Sequence, residues 1–472
     1  LFFINFFVKK QLIEKTHMTI TPPTNVLTIC NTLNNAGFEA WLVGGAVRDS
    51  ILGRDAHDWD IATNAKPDIV VSLFPKVIET GIKHGTVTVL IDGVGYEVTT
   101  FRGDGEYSDG RHPDEVRFCN TIEEDLSRRD FTMNAIAYNP TTNVFCDPFN
   151  GREDIRYNII RTVGDPDKRF REDGLRSLRA IRFSSVLNFA INNETFIAIK
   201  NNLYSFQQVS SERVRDELLK ILSSKDPVFG FDLLYRSWLL EYIIPELIPM
   251  IGCSQNKYHS WDVWDHTFEV VDALPSDTIL RMAGLLHDVG KPASKAPHPV
   301  TGDATFYDHE NIGAEMAVTI LNRLKFSAED RDRIVHLVKH HFIRYEKNQA
   351  ASAVRRWVRK VGSENVADLC TLARADIIGK GLDALVKLES DVIDHLENRI
   401  ATMTINEVIP TSTKVLVIGG VEVMSHLGIS PGPMVGKVLN GLLEAVTDNP
   451  ENNNTDKLLE LSTAIYKELN NG

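Results

Sequence analysis

The chain has 472 residues, room for three or four domains of about 100–200 residues each. Its hydrophobic content of 43% and charged content of 24% exclude a low-complexity or disordered chain and fit packed cores. A formal net charge of −13 excludes a globally basic nucleic-acid binder, so any RNA surface must be a local patch.

Residues 1–8, LFFINFFV, are apolar but far short of the ~20 residues that span a bilayer, and no basic stretch precedes them. Met18 stands just ahead of well-patterned sequence, so residues 1–17 read as translated upstream sequence or an arm. No later segment reads as transmembrane. The five cysteines are scattered without a CxxC pair, which fits a reducing cytosol and offers no thiolate metal site. Residues 25–36 read as an amphipathic helix stopped by Gly37. Trp41, Leu42 and Val43 read as a strand, which Gly44 and Gly45 break before a short helix over 46–52. Glycines after a strand let backbone amides and a helix N-terminus approach a phosphate, and Arg48 is placed to help hold it. Asp58 and Asp60 follow. If 59–62 is strand, alternation sets both carboxylates on one face, which suits a magnesium-triphosphate site.

Residues 66–74 read as a helix with Pro67 in its first turn. TVTVLI at 86–91 and YEVTTF at 96–101 alternate as strands, joined by an Asp92-Gly93 hairpin turn. The stretch 103–113 is polar, glycine-rich and reads as a mobile loop. In LSRRDFTMNAIAY, 126–138, Arg128 and Arg129 should diverge on a helix, one toward a phosphate or ribose and the other toward a carboxylate. After DPFNGREDI, 147–155, β signals fade and helix dominates. KRFREDGLRSLRAIRF, 168–183, reads as one helix with Arg176, Arg179 and Arg182 in a stripe, Asp173 one step earlier, and Leu175, Leu178, Ile181 and Phe183 on the core side. Cytosine and adenine each offer an amino donor beside a ring acceptor. One carboxylate and one guanidinium match both, whereas uracil and guanine present the reverse polarity. SSERVRDELLKIL, 210–222, reads as a capped helix.

Most histidines lie between 258 and 376: His266, His287 beside Asp288, His309, the pair His340-His341, then Asp376. Imidazoles with carboxylates suit a divalent metal. At 427–446 a Gly/Pro turn leads into an amphipathic helix, and a loop at 449–454 precedes a final one.

GG-x-VRD followed by D-x-D resembles the nucleotidyltransferase superfamily of DNA polymerase β. Within it, the pattern is similar to the class II tRNA nucleotidyltransferases (CCA-adding enzymes) and bacterial poly(A) polymerases. EDGLR resembles their EDxxR motif, 210–222 their ERxxxEL neck helix, and 103–113 their flexible loop. The order H…HD…D resembles the HD phosphohydrolases. The resemblance implies an α+β fold: a small mixed β-sheet head, then a mostly helical neck, HD body and tail. The implied division is an N-terminal extension 1–24, a head 25–164, a neck 165–255, an HD domain 256–400 and a helical tail 401–472. It implies catalytic Asp58 and Asp60 holding Mg2+, with Glu97 as a third carboxylate. Gly45, Arg48, Arg129, Asp173, Arg176, Arg179 and Arg182 would bind the nucleotide, and Asp130 would help hold the ribose region. His266, His287, Asp288 and Asp376 would hold a divalent metal, with His309 and His340 as second-metal or phosphate contacts. The implied activity is template-independent addition of CCA to the 3′ end of tRNA from CTP and ATP, in the cytoplasm and away from membranes. An HD phosphatase or cyclic phosphodiesterase activity would accompany it. Two alternatives stay open: a poly(A) polymerase or an enzyme adding only CC or only A, and mainly an HD metal phosphohydrolase with an RNA-binding head.

Overall fold

The computed structural model describes residues 20–79, 81–103, 117–406 and 412–471. The arm expected at 1–17, and all of the loop expected at 103–113 except Gly103, lie outside them. Helix α1 (Thr24–Asn35) buries Val26, Ile29, Cys30 and Leu33, an i, i+3, i+4, i+7 face turned to the core. Gly37, at φ 86°, ends it. Strand β1 (Ala40–Val43) runs into Gly44 and helix α2 (Gly45–Ile51). Strand β2 (Asp60–Thr63) pairs antiparallel with β1 and sets Asp60 opposite Val43. Asp58 precedes the strand in an irregular segment. The alternation expected over 59–62 therefore applies to Asp60 and does not reach Asp58.

Helix α3 (Pro67–Leu73) and the strands β3 (Val77–Ile78), β4 (Thr86–Ile91) and β5 (Val94–Thr100) follow. β4 and β5 form the expected hairpin, with Asp92 at φ 51° and Gly93 at φ 80°, as a two-residue turn of primed type requires. β5 then pairs parallel with β2, Ile61 opposite Val98. That register sets Glu97 on the strand beside Asp60. Helix α4 (Ile122–Ser127) and the strands β6 (Ala137–Asn139) and β7 (Val144–Cys146) complete a mixed sheet of order β3-β4-β5-β2-β1-β6-β7. Val43, Ala62, Phe101, Leu126 and Ala137 share one core cluster, which anchors the strand ends that carry the glycine turn and Asp60.

Next come α5 (Gly151–Arg156), β8 (Ile159–Ile160), α6 (Pro166–Glu172) and α7 (Leu175–Leu187). The single helix expected over 168–183 is thus two. Asp173 is extended, at φ −146° and ψ 105°, and a Cβ on Gly174 would run into the Ser205 carbonyl. The close packing of Gly174 breaks the helix, so Asp173 does not share a helical stripe with Arg176. The core side of α7 is as expected, with Leu175, Leu178, Ile181 and Phe183 buried. Strand β9 (Ala190–Ile191), which pairs with β8, and the helices α8 (Asn193–Asn201), α9 (Leu203–Phe206) and α10 (Ser211–Leu222) follow.

Two compact units divide the chain. One ends at Arg213 and also takes Arg236–Leu239; the other takes Val214–Tyr235 and the chain from Leu240. In the second unit the helices Val263–Ala273, Thr278–Leu286, His309–Arg323, Ala328–His340 and Val366–Gly379 pack on one another. Buried Arg281 donates to the carbonyls of Leu222, Ser224 and Leu274, which satisfies its donors. Towards the C-terminus Val423, Val438, Leu442 and Leu458 form a separate core cluster. The fold is α+β, a small mixed sheet followed by helices. Among the described residues no helix is long and apolar enough to cross a membrane, and all five cysteines are free thiols.

Candidate functional site

The C-terminal end of β1, the start of β2, β5 and α7 surround a cleft of about 530 Å3. Gly44, Gly45, Arg48, Asp60, Glu97, Arg129, Asp173, Arg176, Arg179 and Arg182 all line it. Asp58 does not, and its side chain is exposed. Burial pushes the Asp60 carboxyl up to about 6; Arg129 opposes the shift, and the charges of Glu97 and Asp58 add to it. A buried carboxylate with others beside it fits a divalent cation, which offsets the burial, and the lesser repulsion, that raise its pKa. Gly44 is required twice over. Its φ is 76°, and a Cβ there would stand 3.1 Å from Asp60 Oδ2 and 3.4 Å from Arg129 Nη1.

Arg128 and Arg129 do not diverge as expected. α4 stops at Ser127, and both guanidiniums turn back onto buried Asp125, at 2.8 and 3.2 Å. Burial would raise the Asp125 pKa, but the two arginines lower it below the ordinary range. A second network starts at Arg48, which donates to Asn134 Oδ1 at 2.8 Å. Asn134 donates to Asp130 at 3.1 Å. Arg179 meets Asp130 with two hydrogen bonds of 2.9 and 2.6 Å. Burial of Asp130 is outweighed by Arg179 and Asn134, and its pKa falls to about 2. Asp130 itself lines the cleft and also fixes Arg179 and Asn134 there.

The Arg176 amide donates to the Asp173 carbonyl at 3.0 Å, but the two side chains do not pair. Asp173 Oδ1 accepts from the Leu175 amide at 3.0 Å and Oδ2 meets Arg213 of α10 at 2.8 Å. Arg176 donates to Glu172 at 2.7 Å and to the carbonyls of Arg169 and Arg128. Each side chain is thus held by its own partners at the break between α6 and α7. A carboxylate accepts about four hydrogen bonds and a guanidinium donates five, so both keep capacity for a base. Arg182, Arg48 and Arg179 gather round the Phe183 ring, 3.7, 5.1 and 5.4 Å from its centroid, a cation–π arrangement. Sequence reasoning did not single out Asn134, Arg213 or the ring of Phe183. The ERVRDEL pattern was the available signal for Arg213; an apolar residue on a core face carried none for Phe183.

In the second unit two trios of side chains come together: His266, His287 and Asp376, and Asp288, His309 and His341. His266 Nε2 stands 3.2 Å from His287 Nε2, 3.0 Å from Asp376 and 3.3 Å from Asp288. His309 Nε2 stands 3.3 Å from His341 Nε2 and 3.6 Å from Asp288. All four expected ligands and His309 meet here. His340 does not; its ring packs on His336 at 4.6 Å. His341, buried at the end of the helix Ala328–His340, takes that place, because one residue rotates a helical side chain by roughly 100°.

The Nδ1–H groups of His287, His309 and His341 donate to the carbonyls of Gly284, Phe306 and Val338, each at 2.7 Å. Each bond leaves an Nε2 lone pair aimed inward. Nε2 atoms facing one another across 3.2 and 3.3 Å need a proton or a cation between them, so these donors fit a divalent ion. Burial would lower the His266 pKa; hydrogen bonds to Asp288 and Asp376 raise it to about 9. A bound cation would replace that proton. Lys291 stands 2.5 Å from Asp288 and 2.7 Å from Gln255.

Comparison with known proteins gives three matching sequence families. The "Poly A polymerase head domain" matches residues 40–161, the "Probable RNA and SrmB-binding site of polymerase A" 188–251, and the "HD domain" 257–379. A CCA-adding enzyme of Levilactobacillus brevis is 47% identical over 45% of the chain and 54% of its own length. Another, of Lactobacillus helveticus, is 51% identical over 41% of the chain and 49% of its own length. The chain thus spans about half the length of the curated relatives it matches. Among solved structures, the Bacillus stearothermophilus CCA-adding enzyme in complex with CTP superimposes with a TM-score of 0.71 at 30% identity. That match covers 96% of this chain and 100% of the other.

Proposed function

Because the chain belongs to the family of CCA-adding enzymes, we propose that it adds CCA to the 3′ end of tRNA from CTP and ATP without a nucleic-acid template. The observation that carries this reading is the head cleft, where Asp60 and Glu97 share the lining with Arg48, Arg129, Arg179 and Arg182, beside the separately anchored side chains of Asp173 and Arg176. The Asp173 carboxylate accepts from the exocyclic amino group of C or A, and Arg176 donates to the adjacent ring nitrogen. Uracil or guanine would leave buried groups unpaired, at about 1–3 kcal/mol each. Arg48, Arg129, Arg179 and Arg182 bind the triphosphate, and Gly44-Gly45 let the backbone come close to it. The tRNA 3′-hydroxyl attacks the α-phosphate, and pyrophosphate leaves. Mg2+ held by Asp58 and Asp60 would neutralise phosphate charge and favour the ionised hydroxyl. In this reading residues 25–164 are the catalytic head, 165–255 the neck, 256–400 the HD domain and 401–472 the tail, and the enzyme works in the cytoplasm.

The test is incubation with tRNA lacking CCA, labelled CTP and ATP, and Mg2+. Addition of C, C and A supports the reading. A long A tract on unrelated RNA indicates a poly(A) polymerase, and a stop after CC or after A alone indicates a partial enzyme. The two inward-facing trios favour a second activity, divalent-dependent hydrolysis of a phosphomonoester or a 2′,3′-cyclic phosphate. His287→Ala should remove that hydrolysis and spare nucleotide addition. Hydrolysis that survives His287→Ala, or that needs no divalent ion, refutes this second activity.

A further inference from the structure

Trp238 has a backbone conformation that a bulky residue rarely keeps. Its φ is 66°, in the left-handed region where an aromatic side chain is strained. The residue is nevertheless 51% exposed, so the strain is not repaid by burial. Beside it on α8, the Lys200 ammonium lies 5.1 Å from the Trp238 ring centroid and 5.4 Å from that of Phe196. Lys200 makes no ion pair among the described residues. The segments 196–204 and 235–240 contain Lys200 and Arg236 but no Asp or Glu. None of these residues lines the head cleft.

We propose that Trp238 and Lys200 form a docking point for one unpaired nucleotide of the RNA substrate. The base stacks on the indole and its phosphate meets the ammonium. The inference rests on the reading of this chain as an enzyme acting on RNA. An exposed aromatic residue beside a cation that has no carboxylate partner among the described residues is the combination that holds single-stranded nucleic acid, through stacking and charge. An apolar protein surface fits poorly, because it would strip water from Lys200 and give it no anion. Residues outside the cleft can hold the substrate without touching the chemistry. The site therefore acts on the affinity for RNA and leaves the chemical step alone.

The experiment uses the full chain and fluorescently labelled tRNA lacking CCA, at fixed salt. Trp238→Gly should weaken binding roughly 5- to 150-fold, the loss that one base stack of ~1–3 kcal/mol implies. Its Tm should be unchanged or raised, because glycine relieves the backbone strain. Trp238→Phe, which keeps a stacking face, should bind within a few-fold of wild type. Lys200→Gln should lower the salt dependence of binding by about one charge. In the addition assay KM for tRNA should rise with Trp238→Gly, while kcat and KM for CTP stay unchanged. Wild-type affinity in Trp238→Gly overturns the proposal. So does a fall in Tm that tracks the loss of affinity, since the ring would then be structural. So does a change of sedimentation from oligomer to monomer, since the occupant would then be a second copy of the chain. A wild type that binds tRNA but adds no nucleotide would refute the enzymatic reading and leave the docking point standing on affinity alone.

Discussion

Replacing Asp60 with Asn should make the protein inactive and, without metal, more stable. In the fold the Asp60 carboxyl keeps its proton up to about pH 6, against an ordinary value of 3.8. Below pH 4 folded and unfolded chains both carry the proton and the variant has no advantage. Between about pH 4 and 6 the folded state binds more protons than the unfolded one, so wild-type stability falls as pH rises through that window. Above it the deficit is complete. A shift of about two pH units corresponds to ~3 kcal/mol, and the water reaching a partly exposed carboxylate reduces this to about 1–3 kcal/mol. For a unit of this size, each kcal/mol moves the Tm by about 2–4 °C. The assay is Tm against pH from 4 to 8 in EDTA, for wild type and Asp60→Asn. The curves should meet at the acid end and separate towards neutrality, with the variant higher. Mg2+ should close the gap by stabilising only the wild type. A variant that melts below wild type at pH 8, or a difference that ignores pH, would refute the account of a carboxyl raised by burial.

Three further outcomes follow from the geometry. Asp173→Ala should lower kcat/KM for CTP and ATP about 10- to 100-fold, as loss of a hydrogen bond to a charged group implies, and should narrow the preference over UTP and GTP. An equal fall for all four nucleotides would place base selection elsewhere. Gly44→Ala should lower stability by about 1–2 kcal/mol through its positive φ and reduce addition more than tenfold by displacing Asp60. Urea titration and single-turnover addition measure the two effects. His341→Ala should lose divalent-dependent hydrolysis by about 10–100-fold, in line with loss of a metal-site group, whereas His340→Ala should change it little; the reverse pattern would invalidate the ligand set.

What could be read without coordinates was set by short-range chemistry. The helix ending at Gly37, the Asp92-Gly93 turn and the glycine break before α2 depend on a few neighbouring residues, and the local pattern revealed each of them. The gathering of Asp60, Glu97 and the arginines in one cleft was inferred from motif order. What escaped was decided at a distance. The break at Gly174 comes from packing on Ser205, thirty-one positions along the chain. The turn of both Arg128 and Arg129 onto Asp125 follows from where α4 stops. The choice between His340 and His341 depends on helix phase, which adjacent identical residues cannot reveal.

The parallel alignment of β2 with β5 has a consequence for how the head becomes competent. Its neighbours β1 and β2 come together early, because little chain lies between them. β5 must wait until α3, β3 and the β4 hairpin have been threaded past, since a parallel neighbour needs a long crossover. Until then a nascent head has its glycine turn and Asp60 but not the carboxylate on the adjacent strand. The pairing of β2 with β5 is thus the contact that brings the second carboxylate of the cleft beside Asp60.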